Sequence, residues 1–170
     1  MTIRDERPGD EPAIHAVHVA SFPAPEEADL VGALRAAGRL SVSLVADEQD
    51  QVVGHVAFSP VSLAGTSGGL GLGPVAVLPA FRRRGIADRL IRAGLAACER
   101  LGGRFVVVLG DPSYYQRFRF LPASRRGLWY GPGGSDAFQV LELRSGALPA
   151  VGGRVRYAPE FAALEPDGPV

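Results

Sequence analysis

The chain has 170 residues, 46% of them hydrophobic, one cysteine and a formal net charge of zero. That length suits a single domain over residues 1–170, able to bury roughly 70% of its unfolded surface without disulfides or a structural metal. Neutral charge argues against a protein that coats nucleic acid, and no apolar run approaches the roughly 18 residues of a membrane span.

Residues 2–6 read as a short first strand, closed by the turn Arg7-Pro8-Gly9-Asp10. Asp10 is placed to cap a helix over residues 13–21, with Pro12 in the first turn, where a missing N–H costs little. Ile14, Val17 and His18 fall on its inward side. Phe22-Pro23-Ala24-Pro25 breaks the pattern. A second helix spans 26–37, with Leu30, Val31 and Leu34 on one side and Gly38 as its stop. Residues 41–47 and 52–61 form two strands of an antiparallel hairpin, and 63–69 read as a flexible loop.

Residues 71–101 organise the rest. Residues 72–78 are apolar and Val-rich, interrupted by Gly73-Pro74. Proline cannot donate to a central ladder and glycine permits a bulge, so this pair predicts a loosened strand edge. The turn 79–84 carries Arg82, Arg83 and Arg84, and Gly85 opens a helix with Ile86, Leu90, Ala93, Ala97 and Leu101 at helical spacing. A strand feeding a glycine-opened helix points backbone N–H groups and the positive end of the helix dipole at an anion. Residues 105–109 are wholly apolar, which fits a strand covered on both faces, and strand–helix–strand implies a parallel crossover. Residues 112–118 suit a short helix, 124–136 a loop and 137–143 a last strand. The remainder, 144–170, is a Pro- and Gly-rich extension with an extended piece at 155–157.

The run Arg82-Arg83-Arg84-Gly85-Ile86-Ala87 matches the pattern Arg or Gln, two free positions, Gly, one free position, Gly or Ala. It resembles the acyl-CoA signature of the GNAT acetyltransferase superfamily. Tyr114-Tyr115-Gln116-Arg117-Phe118-Arg119-Phe120 resembles the second landmark of that superfamily. The likeness covers about residues 2–143 and looks like a bacterial branch of N-acetyltransferases.

The resemblance implies an α/β fold with a central mixed sheet of about six to seven strands, its fourth and fifth strands splayed and flanked by helices. It implies acetyl-CoA as co-substrate, no metal, an unidentified amine acceptor and a cytoplasmic enzyme, and it leaves a homodimer open. Pantetheine would lie along Val75, Ala76 and Val77. The pyrophosphate would meet Arg82, Arg83, Arg84, Gly85, Ile86, Ala87 and Asp88. Tyr115 would protonate the leaving thiolate, with Tyr114 the alternative one residue away. Two departures stand out. Arg119 replaces the usual glycine before Phe120, which predicts a different local turn, and the fourth strand carries no acid.

An acceptor amine with a pKa near about 10.4 is only on the order of 0.1% neutral at pH 7. A base is therefore needed, directly or through water. His55, Glu26, Glu27 and Asp111 are the candidates, and the sequence does not choose among them. No Ser or Cys carries an activating pattern; Cys98 reads as core. Trp129 and Tyr130 either cap the acceptor site or cover the core edge. A non-catalytic acyl-CoA sensor, or an acyltransferase acting on a macromolecule, are the alternative functions.

Overall fold

The apolar runs pair into one mixed sheet of seven strands. The computed structural model describes residues 1–131 and 135–164. Strands β1 (Thr2–Asp5), β2 (Val42–Glu48), β3 (Gln51–Leu63) and β4 (Thr66–Val77) form an antiparallel meander. Strand β5 (Phe105–Leu109) joins β4 in parallel, and β8 (Phe138–Glu142) and the short β6 (Leu121–Pro122) continue antiparallel.

Helices α1 (Glu11–Val19) and α2 (Glu26–Ala36) cover one face, where Ile14, Val17 and Val31 pack on Val45, Val52 and Ala76. The long helix α3 (Ile86–Arg100) covers the other through Ile86, Leu90 and Ile91. Strand β3, between them, is buried on both faces for most of its length. A short helix α4 (Pro112–Tyr115) follows β5. The extension folds back: β9 (Gly153–Arg154) pairs in parallel with β7 (Leu128–Trp129), and a final helical turn over Pro159–Leu164 packs toward α2.

Several expectations are corrected. Residues 63–69 are not a loop: the chain turns at Ala64-Gly65 and β4 starts at Thr66. Its glycines hid it because large rings press on the strand. A Cβ on Gly69 would overlap the Phe105 ring, and one on Gly71 would lie 2.7 Å from the Tyr157 ring. Leu101, the last residue of the helical spacing, is not part of α3: it is 65% exposed just past the helix end. Asp10 occupies the capping position of α1 but makes no capping bond; its carboxylate accepts from the Arg4 guanidinium at 2.7 Å and the Arg7 N–H at 2.7 Å. The extended piece near 155–157 is a parallel pairing two residues earlier, plus a bridge from Arg156 to Ser62. Within the loop expected over 124–136, residues 132–134 lie outside the described residues. Arg119 does not change its turn: it takes the left-handed conformation itself, at φ 72°.

Candidate active site

The site is built where β4 parts from β5. Their pairing runs only from Gly69–Gly71 to Phe105–Val107. Beyond it, the β3–β4 register slips, so that Val56 faces Val75 while Phe58 faces Leu72, and Gly73-Pro74 bulges out between them. Residues 75–77 therefore pair with β3 on one edge and have no strand on the other. The Leu78 N–H donates to Val53 C=O at 2.9 Å. By strand alternation, the Val77 N–H looks to the opposite, open edge. The Val77 carbonyl is already held by the Arg82 Nε and the Ser21 hydroxyl, each at 3.2 Å.

A cavity of about 410 Å³ lies at one end of this edge, against the start of α3. Arg82, Arg83, Gly85 and Arg117 line it with Tyr114 and Val77. Gly85 takes φ 73°, a conformation that admits glycine at little cost. The first intrahelical bond runs from the Arg89 N–H to the Gly85 carbonyl at 3.1 Å. The N–H groups of Ile86, Ala87 and Asp88 are thus left without helical partners, and these three residues line the cavity. That donor set and the helix dipole suit a phosphate group. The arginines divide their work. Arg83 lines the cavity, Arg82 ties the turn to β4 and to Ser21 just past α1, and Arg84 turns away to Phe81 (5.0 Å from its ring centre) and Glu48 (3.7 Å).

A second cavity, about 330 Å³, lies on the far side of the bulge. Leu72 and Pro74 of β4, Leu109 at the end of β5 and Leu30 of α2 meet Tyr157, Phe161 and Leu164 of the extension there, and Tyr130 and Glu27 complete the wall. Sequence reasoning missed this cavity. Its one local signal was the helical spacing of Tyr157, Phe161 and Leu164 in a tail that reads as irregular.

The four candidate bases separate. Glu27 is on the wall of the second cavity, while Glu26 is exposed. Asp111 is exposed and accepts from the Ser113 N–H at 2.8 Å, which lowers its pKa. His55 is fully buried with both ring nitrogens engaged, Nδ1 with His18 Nε2 at 2.8 Å and Nε2 with the Ser43 hydroxyl at 2.9 Å. The Ser43 hydroxyl donates on to Glu6, whose carboxylate accepts from Arg35. Burial lowers the pKa of His55 well below the ordinary value and that of His18 to about 4, so both rings are neutral at pH 7. His18 was expected to point inward; its bond to His55, 37 residues away, had no sequence signal.

The two tyrosines face different ways. Tyr114 is on the wall of the first cavity, under the Arg117 guanidinium at 4.4 Å from its ring centre. Tyr115 is 8% exposed and packs beside Gly110, Phe118 and Phe120. Burial raises its phenol to about 12. Its field in turn helps raise the pKa of Tyr157, on the wall of the second cavity. Cys98 is buried, its thiol pushed up to about 12. Among the described residues, no group of three or more His, Cys, Asp or Glu is placed to hold a metal ion, and no helix is long and apolar enough to cross a membrane.

Comparison with known proteins places these features in a family. The model of the acetyltransferase (GNAT) family matches residues 11–119. The uncharacterized N-acetyltransferase YhbS of Escherichia coli strain K12 is 43% identical over 166 residues, covering 95% of this chain and 98% of the relative. The crystal structure of Escherichia coli YhbS in complex with CoA superposes with a TM-score of 0.90 at 42% identity, over 94% of this chain and 91% of that one. A GNAT acetyltransferase from Brucella melitensis in complex with acetyl-CoA gives 0.80 at 42% identity, over 94% and 97% of the two chains.

Proposed function

The chain belongs to the acetyltransferase (GNAT) family and is an acetyl-CoA-dependent N-acetyltransferase; on that premise we propose that an amine held in the apolar cavity attacks the acetyl thioester directly. The observation that carries the proposal is the open edge of β4, bounded by a donor-rich cavity at one end and an apolar one at the other. The N–H groups at the start of α3 and Arg83 would hold the pyrophosphate, and residues 75–77 the pantetheine arm. Acetyl-CoA supplies an activated acyl group, so the chain itself needs no nucleophile.

Glu27 would take the amine's proton, directly or through water. It is the one of the four candidate bases found on a cavity wall. The Val77 N–H would meet the negative charge that develops on the carbonyl oxygen. Tyr115 would give its proton to the departing sulfur. A phenol raised to about 12 keeps that proton throughout the neutral range. A cytoplasmic setting belongs to the same reading, supported by a single, buried thiol.

A thiol-release assay with acetyl-CoA across a library of amines and peptides tests the proposal. Turnover that requires an added amine supports it. Tight CoA binding without amine-dependent release would instead favour an acyl-CoA sensor, to which the acid-free fourth strand lends some support.

A further inference from the structure

The apolar cavity also describes the amine. We infer that the acceptor is a small primary amine on an apolar, preferably aromatic, body, seated beside Gly73-Pro74 with its ammonium at Glu27. This deepens the transferase reading above and rests on it.

Size comes first. A cavity of about 330 Å³ is at the small end of ligand sites, which run from roughly 300 to 1,000 Å³. It suits one ring and a short arm better than a sugar chain or a folded protein surface. Chemistry follows from the wall. Leu30, Leu72, Pro74 and Leu109 are aliphatic, and Tyr157 packs against Phe161 with ring centres 4.9 Å apart. Sugar hydroxyls entering there would lose water and find few partners.

Charge selects the rest. Among the described residues of the wall, Glu27 is the one that carries a charge. Its carboxylate makes no hydrogen bond or ion pair among the described residues. A half-buried carboxylate against apolar walls favours one cation, and the described residues of the wall hold no second carboxylate. Leu109 adds an independent sign. Phe105 to Val108 of the same strand are at most 1% exposed, whereas Leu109 is 56% exposed at the cavity wall. Its large apolar surface awaits an apolar cover.

The test is calorimetric titration of the CoA-loaded full-length protein with 2-phenylethylamine, spermidine and a short lysine peptide, with thiol release measured in parallel. The expected result is 2-phenylethylamine binding at least about tenfold more tightly than the other two. Glu27→Gln should weaken that binding about tenfold or more while leaving CoA affinity unchanged. Leu109→Arg, a change at an exposed position, should also weaken it. No binding of 2-phenylethylamine, equal binding of spermidine or the peptide, or indifference to Glu27→Gln overturns the inference. Glu27-dependent binding with no thiol release from any amine keeps the cavity assignment and sinks the transferase reading. Release with spermidine or the peptide alone does the reverse.

Discussion

The two cavities that flank β4 are built from different materials. The donor-rich one sets backbone beside arginine: the N–H groups at the start of α3, a left-handed glycine and an unpaired strand edge, with Arg82, Arg83 and Arg117 on its wall. The apolar one is mostly side chain, gathered from α2, β4, β5, the segment around Tyr130 and the extension. Backbone geometry depends little on which side chains it carries. A part every family member must bind can therefore be held by a short, local motif. A side-chain wall changes with every substitution, which is what a specificity pocket requires.

The largest expected effect tests the proposed general acid, a buried residue that lines neither cavity. Tyr115→Phe should lower kcat roughly 10- to 1000-fold, in or near the range of general acid–base catalysis, with CoA affinity little changed. Tyr114→Phe should be much milder in kcat, its ring being a wall of the donor-rich cavity. If the two variants exchange behaviour, the acid is Tyr114. If neither slows turnover with a confirmed acceptor, the thiolate takes its proton from water.

Gly85→Glu should weaken CoA binding at least about tenfold, or roughly 1.4 kcal/mol. It sets a carboxylate and a strained left-handed backbone where phosphate would approach. Amine binding in the other cavity should survive. Together with Glu27→Gln this makes a double dissociation by calorimetry. Unchanged CoA affinity in a folded Gly85→Glu variant would remove the phosphate assignment.

A neutral pair, His18 of α1 with His55 of β3, ties the first helix to the sheet. Burial, with smaller contributions from His15 and Arg35, holds His18 at about 4. At pH 7 and above both states of the chain leave the ring neutral. As pH falls below about 6.5 the unfolded chain takes up a proton that the folded one refuses, so stability declines until about pH 4. Between pH 7.5 and 5.5 the loss from His18 should be about 1 kcal/mol. Urea unfolding at the two pH values measures it, and His18→Gln should flatten the slope. An identical slope in the variant would mean that other groups set the pH dependence.

The smallest effect is expected at Arg119. A non-glycine residue at φ 72° is strained, so Arg119→Gly should raise stability by up to about 0.5–1 kcal/mol in thermal melts and leave both cavities unchanged. A lower melting temperature would show that the Arg119 side chain stabilises the turn.

The same division of materials explains what the sequence disclosed. The turn before α3, α3 itself and the bulge at Gly73-Pro74 were legible because each lies within a few residues and uses backbone rules for Gly, Pro and helix starts. The first half of β4 was not, since Gly68 and Gly69 read as a loop until the Phe105 ring against Gly69 gives a reason for a small residue there. The choice among Glu26, Glu27, His55 and Asp111 was equally hidden. It turns on which carboxylate reaches a cavity and which imidazole is sealed in, and both depend on packing between distant segments. Arg119 shows the opposite case: a residue that breaks the family pattern without changing the turn.

The last described turn, Pro159–Leu164, supplies Phe161 and Leu164 to the apolar wall. It is held by Ala158 against Leu30 and Leu34 of α2 and by the ion pair of Arg39 with Glu160, and it contributes no strand to the seven-stranded sheet. Exchanging Phe161 or Leu164 therefore reshapes the acceptor seat without breaking a ladder bond. Part of the proposed selectivity is thus carried outside the sheet, where evolution, or a protein engineer, can retune it at little risk to the fold.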